Sequence, residues 1–202
     1  MTNEAWWASP SLWRKSAVWI TGGSFVMLIF LTFDTMSYIQ AGGKQVPGYS
    51  IINQRVDYQF DEAQNRYLPV IGPEEPLFGK KLTEDEAAAL VSKGKLNTQA
   101  KNCMACHTLL GNGAYYAPDL TKSWLDPSWG SKEVREQQMV DFLMNPQDRL
   151  HNGLGRRMPN LGITEEEARA TVAFLKWMSA INTLGFPHNF KAIDQSDAPA
   201  QN

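Results

Sequence analysis

The residues whose types and spacing offer chemistry are Cys103, Cys106 and His107, in the run Cys103-Met104-Ala105-Cys106-His107. Two thiols separated by two residues, with histidine directly after the second, form the attachment pattern for c-type haem. A short helical turn brings both sulfurs to the vinyl groups of one porphyrin and aims the imidazole at the iron. Cys103 and Cys106 then read as thioether anchors and His107 as the proximal ligand. Three other chemistries use similar residues. A thioredoxin-like dithiol needs a βαβ frame, and no apolar strand run precedes Cys103. A structural zinc site needs four ligands, whereas the chain holds only these two cysteines and His107, His151 and His188. An ordinary surface disulfide is the third alternative.

A haem c iron used for electron transfer usually takes a sixth ligand, and methionine sulfur raises its potential relative to histidine. The candidates are Met139, Met144, Met158 and Met178, with His151 and His188 as nitrogen alternatives. Met139, Met144 and Met178 fall within or at the ends of helical patterns, where methionine is a gap-filling core residue. Met158 sits instead in Gly155-Arg156-Arg157-Met158-Pro159-Asn160, which has no amphipathic pattern. Pro159 restricts the residue before it to extended geometry and holds the thioether in place. Met158 is therefore the expected axial ligand, with His151 second. Arg156 and Arg157 are solvated, or pair with a haem propionate or an acidic partner.

The elements that must position these groups can be read around them. A net charge of −2 gives no basic excess of the kind that nucleic acid attracts. Seven tryptophans and nine phenylalanines suit both a haem pocket and a membrane interface. Residues 17–33 carry no charge, and the run reads as an uncleaved membrane anchor over residues 17–39. A signal peptide has a similar outline, but its apolar core is shorter and no small-residue cleavage site follows here. Arg14 and Lys15 before the run place residues 1–16 in the cytoplasm and the rest outside. That is the side on which bacteria attach haem c. Residues 40–82 are rich in glycine and proline and read as a linker or insertion. Within it, Arg55 to Phe60 alternates, Asp61 to Asn65 reads as a turn and Arg66 to Ile71 is extended, which predicts a small β-hairpin.

Thr83 and Glu86 form a capping box that opens a helix through Ala87, Leu90, Val91 and Leu96 toward the cysteines, with Gly94 allowing close backbone approach. Ser131 caps a second helix carrying Val134, Met139, Phe142 and Leu143, stopped by Pro146. Thr164 and Glu167 open a last helix to about Ile181. The expected fold is mainly α: one transmembrane helix, a monohaem class I-like cytochrome c domain over 83–190 with a β-hairpin insertion before it, and a disordered tail over 191–202.

These residues resemble the membrane-anchored cytochrome c subunit of bacterial nitric oxide reductase. The likeness rests on Gly22-Gly23-Ser24, on the motif continuing as Thr108-Leu109-Leu110-Gly111-Asn112-Gly113-Ala114-Tyr115-Tyr116-Ala117-Pro118-Asp119-Leu120, on Gly155 to Pro159, and on Phe174 to Trp177 running to Thr183. The resemblance implies an inner-membrane electron-transfer subunit with one covalent haem c and no catalytic centre of its own. It would take electrons from a soluble periplasmic cytochrome c or cupredoxin and pass them to haem b of a large subunit that also holds haem b3 and non-haem iron. There NO is reduced to N2O and water. It further implies His107 and Met158 as iron ligands and Gly113 and Tyr115 as contributors to a calcium site at the subunit boundary. The chain departs from the family pattern at Asn112, where glutamate is common, in an Arg-Arg to Met158 spacing one residue shorter than usual, and in segment 42–82. Rival readings are a cytochrome subunit of another haem-copper oxidase, a haem c gas sensor in which Met158 dissociates, and a soluble shuttle cleaved after the apolar run.

Overall fold

A computed structural model describes residues 5–146, 157–188 and 190. The 191–202 tail lies outside the described residues, as do His151, Gly155 and Arg156.

Pro10–Ile39 forms one thirty-residue helix, α1, about 45 Å long at 1.5 Å per residue. It starts upstream of the apolar run, because Pro10 stands in the first turn, where its missing N–H costs no hydrogen bond. None of its residues is buried, so its apolar run stands clear of the core among the described residues. Beyond Ile39 the chain folds back: Gly43 N donates to Gln40 O and Lys44 N to Ser37 O, at 2.8 and 3.1 Å.

From Gln45 onward the chain is strapped to segments far along the sequence. Asn182 N donates to Gln45 O at 3.1 Å, and Trp177 Nε1 to Pro47 O at 3.1 Å. Tyr49 stacks on Trp177 with centroids 5.2 Å apart. Both carboxylate oxygens of Glu84 accept from the Tyr49 and Ser50 amides, at 2.6 and 2.9 Å. Burial by itself raises the Glu84 pKa, but these bonds together outweigh it and hold the carboxyl below its ordinary value.

Strands β1 (Gln54–Asp61) and β2 (Arg66–Glu74) pair antiparallel, with Tyr58 opposite Pro69 and Phe60 opposite Tyr67. A two-stranded ribbon has only edges, which is where a proline is tolerated in a sheet. The segment is part of the main core: Ile52, Val56, Tyr58 and Leu77 are buried together with the last helix. Lys176 Nζ donates to Glu75 O at 3.0 Å, and Phe78 N to Glu136 Oε2 at 2.8 Å.

Helix α2 (Glu84–Ala100) and helix α4 (Glu165–Ala180) each open with the expected capping box. They meet at Gly94, where an added Cβ would lie 2.0 Å from Ala170 O. The pair is tied by Lys93 to Glu166, by Lys101 to Glu167 at 3.3 Å, and by Asn97 Nδ2 to Glu167 O at 3.1 Å. Helix α3 (Lys132–Met144) packs on α4, and Ser131 stands at its N-cap without a side-chain hydrogen bond.

Two side chains expected on core stripes face outward: Leu96 is 62% and Val134 41% exposed. In α3 the neighbouring Arg135 is buried instead, with its guanidinium 5.0 Å from the Trp124 ring centroid. A long stem with an aromatic partner for its charge can occupy a core position that a binary pattern assigns to a hydrophobe. Lys122 and Lys176 are buried likewise. Lys122 Nζ donates to Ser179 O and Ile181 O, at 2.9 and 2.7 Å, and caps the carbonyl end of α4. Burial holds the Lys122 pKa down to about 7 and that of Lys176 to about 8.

Candidate functional site

Helix α2 delivers the cysteine motif. The helix ends at Ala100, and Asn102 takes the left-handed conformation (φ 54°) that turns the chain. Cys103–Ala105 then form one tight turn, with Cys106 N and His107 N both donating to Cys103 O, at 3.2 and 3.0 Å. Both thiols are thereby carried on a single turn, half-buried and not joined as a disulfide. Burial raises the Cys103 thiol pKa.

The segment after His107 closes on itself. Strands β3 (Thr108–Leu109) and β4 (Asn112–Gly113) form a minimal hairpin. Leu110 and Gly111, with φ of 51° and 78°, make its two-residue turn. Positive φ at both positions is the primed geometry that matches strand twist. At Gly113 (φ 123°) a Cβ would sit 2.2 Å from His107 O, so backbone proximity to the histidine is what demands glycine there. The chain then returns past the motif: Ala117 N donates to Cys106 O at 2.8 Å and Leu120 N to Thr108 O at 2.8 Å.

His107 Nδ1 lies 2.8 Å from Pro118 O. A carbonyl can only accept, so Nδ1 carries the proton and Nε2 is left with its lone pair, the tautomer a metal-binding imidazole needs. Cys103, Cys106 and His107 line one cavity of about 370 Å³, and Met158 lines the same cavity from the loop before α4. Its apolar wall includes Leu120, Phe142, Leu143 and Leu175. Trp129 is fixed there by Nε1 donating to Ser123 O at 2.7 Å and by an edge contact with Phe142.

Of the sequence candidates for a sixth ligand, Met139 and Met158 reach the cavity. Met144, Met178 and the exposed His188 do not line it. Met139 is 1% exposed on α3 and also belongs to the core cluster. Arg157 lines the cavity too. Tyr115 is 82% exposed and donates to Gly111 O at 3.0 Å. Among the described residues no three histidine, cysteine, aspartate or glutamate side chains converge as a metal site. Sequence reasoning gave no role to Asp119, whose carboxylate accepts from Thr108 Oγ1, Gly111 N and Thr121 N, at 2.7, 3.2 and 2.7 Å. Loop-to-loop pairing has no periodicity, so nothing in the pattern signals it.

Helices α2, α3 and α4 around this cavity, with the paired thiols on its wall, define a cytochrome c-type domain. The family model described as Cytochrome c matches residues 91–179. The nitric oxide reductase C subunit of Paracoccus denitrificans is 36% identical over 112 residues, covering 54% of this chain and 73% of the relative. The C subunit of the Stutzerimonas stutzeri reductase is 33% identical over 117 residues, covering 57% and 76%. That of Cereibacter sphaeroides is 34% identical over 98 residues, covering 48% and 65%. The chain belongs to the family of nitric oxide reductase C subunits.

A cytochrome c domain implies covalent haem c, and the residues present fit it. The thiols share one turn, the histidine is held as the right tautomer, a thioether reaches the same space and the remaining wall is apolar.

Proposed function

We propose that this chain is the membrane-anchored, monohaem electron-transfer subunit of a nitric oxide reductase. The observation that carries the reading is the convergence of Cys103, Cys106, His107 and Met158 on one largely apolar cavity. Cys103 and Cys106 would hold the haem as thioethers, and His107 and Met158 would ligate its iron. When bound, haem c supplies a one-electron couple. The chain's own residues set its properties: Pro118 O orients His107, Met158 offers a soft sulfur that favours the reduced state, and Phe142, Leu143 and Leu175 exclude water. With His107 and Met158 both serving as ligands, the iron would relay electrons without taking substrate, and the NO chemistry would belong to the partner.

The helix α1 crosses the inner membrane, its length sufficient for a hydrocarbon core of about 30 Å. Arg14 and Lys15 keep its start in the cytoplasm, which leaves the haem domain in the periplasm. A soluble cytochrome c or cupredoxin would deliver electrons there for transfer to haem b of the catalytic subunit, where two NO molecules, two electrons and two protons give N2O and water. Gly113 and Tyr115 would offer oxygen atoms to a calcium ion at the subunit boundary.

The test is to extract the protein from membranes with its partners. Pigment should stay on this chain after denaturation, the reduced spectrum of its haem c should not change with CO, and a large subunit with non-haem iron should co-purify. Pigment that leaves on denaturation refutes the attachment, and a CO-shifted haem c spectrum refutes the six-coordinate relay in favour of a sensor. A copper-containing partner assigns the chain to another oxidase.

A further inference from the structure

Around His107 several side-chain hydrogen bonds join the two passing stretches of chain. His107 pairs with Pro118, Thr108 with Asp119 and Leu110 with Thr121, each eleven residues apart. Only the first of these bonds involves the imidazole. The residues on either side of it, Thr108 after the histidine and Asp119 after the proline, are linked to each other through Thr108 Oγ1 at 2.7 Å from Asp119 Oδ2. That hydroxyl belongs to a residue only 2% exposed, so water offers it little alternative. The same carboxylate also takes Gly111 N at 3.2 Å and Thr121 N at 2.7 Å. Asp119 thus gathers the minimal hairpin and the returning chain into one unit, and it lines the cavity beside His107.

We infer that Asp119 is a positioning residue for the proximal ligand: by clamping Thr108, Gly111 and Thr121 it fixes the Pro118 carbonyl against His107 Nδ1–H. Its negative charge at the cavity wall also favours the oxidised state of the iron. Hydrogen bonds to a charged acceptor are the stronger class, and a three-donor clamp leaves the carbonyl little freedom to swing away. An aspartate rather than an asparagine is required because every partner is a donor, and an amide would turn an N–H toward one of them.

The inference rests on the haem reading above, and the experiment separates the two. The holoprotein, Asp119→Asn, Thr108→Val and Thr108→Ser are first denatured to confirm covalent pigment. The readouts on pigmented protein are solvent exchange of the His107 Nδ1 proton by NMR and the ratio of reduced to oxidised haem at a fixed ambient potential. Asp119→Asn should speed exchange by about tenfold, the scale of one lost buried hydrogen bond, and shift the ratio several-fold toward the reduced form. Thr108→Val, which keeps the charge, should speed exchange with a smaller shift in the ratio, and Thr108→Ser should restore wild-type exchange. Pigmented Asp119→Asn with wild-type exchange and ratio overturns the inference and leaves Asp119 a loop staple. If that variant does not fold, Thr108→Val decides by the same exchange measurement. Wild-type protein without covalent pigment overturns the haem reading itself, and this inference with it.

Discussion

Replacing Gly94 by alanine puts a methyl group into the place where α2 and α4 touch through their backbones. The added Cβ would lie 2.0 Å from Ala170 O, 2.6 Å from Ala170 C and 2.8 Å from Phe174 Cβ. Ordinary contact begins at 3.4 Å, so the helices must separate by about 1.4 Å. Two of the three obstructing atoms are backbone and cannot rotate aside, which places the change at the upper end of overpacking costs, about 3 kcal/mol. Alanine's better helix propensity returns about 1 kcal/mol. The net loss of about 2 kcal/mol corresponds to a melting temperature about 4–8 °C lower for a chain of this size. Thermal unfolding of the holoprotein followed by circular dichroism measures it. Leu96→Ala, on the same helix but 62% exposed, serves as control and should stay within about 0.5 kcal/mol of wild type. A Gly94→Ala protein melting at or above the wild-type temperature would refute the close crossing as the joint of this core.

Met158→Ala should retain covalent pigment but lower the haem potential, read by redox titration; an unchanged potential would point to another ligand, Met139 being the other thioether at the cavity. Gly113→Ala forces a Cβ to within 2.2 Å of His107 O at φ 123° and should cost about 1–3 kcal/mol in denaturant unfolding, whether or not calcium is present. The buried lysines make stability depend on pH. In the folded state Lys122 and Lys176 titrate at about 7 and about 8, below the ordinary 10.5, so unfolding takes up protons between these values. Their contribution makes stability rise with pH across that window, by up to about 1.4 kcal/mol per pH unit per group. It levels off below about 7, where Lys122 is protonated in both states. Lys122→Met should flatten the rise measured in denaturant series from pH 7 to 10, and an unaltered slope would show that Lys122 does not titrate in this range.

The sequence alone determines what neighbouring residues decide together. Two thiols and a histidine on one turn announce haem attachment because the porphyrin's own dimensions impose that spacing. Thr83 with Glu86 and Thr164 with Glu167 mark helix starts because each box is satisfied within four residues. The hairpin at 54–74 follows from local alternation and turn chemistry, and the apolar run before Asp34 from composition alone.

Tertiary structure decided everything that depends on chain segments meeting from afar. Segment 40–82, a linker by composition, joins the core because Lys176 reaches Glu75 and Trp177 reaches Pro47, 101 and 130 residues away in the chain. Leu96 and Val134 turned outward and Arg135, Lys122 and Lys176 inward, since burial is set by which partner each side chain finds, not by its class. The acceptor for His107 and the clamp at Asp119 come from a loop without periodicity, whose course is fixed only when the chain closes around the cavity. Composition and spacing encode short-range geometry and chemical capability; the orientation of an imidazole and the fate of a buried charge belong to the packed whole.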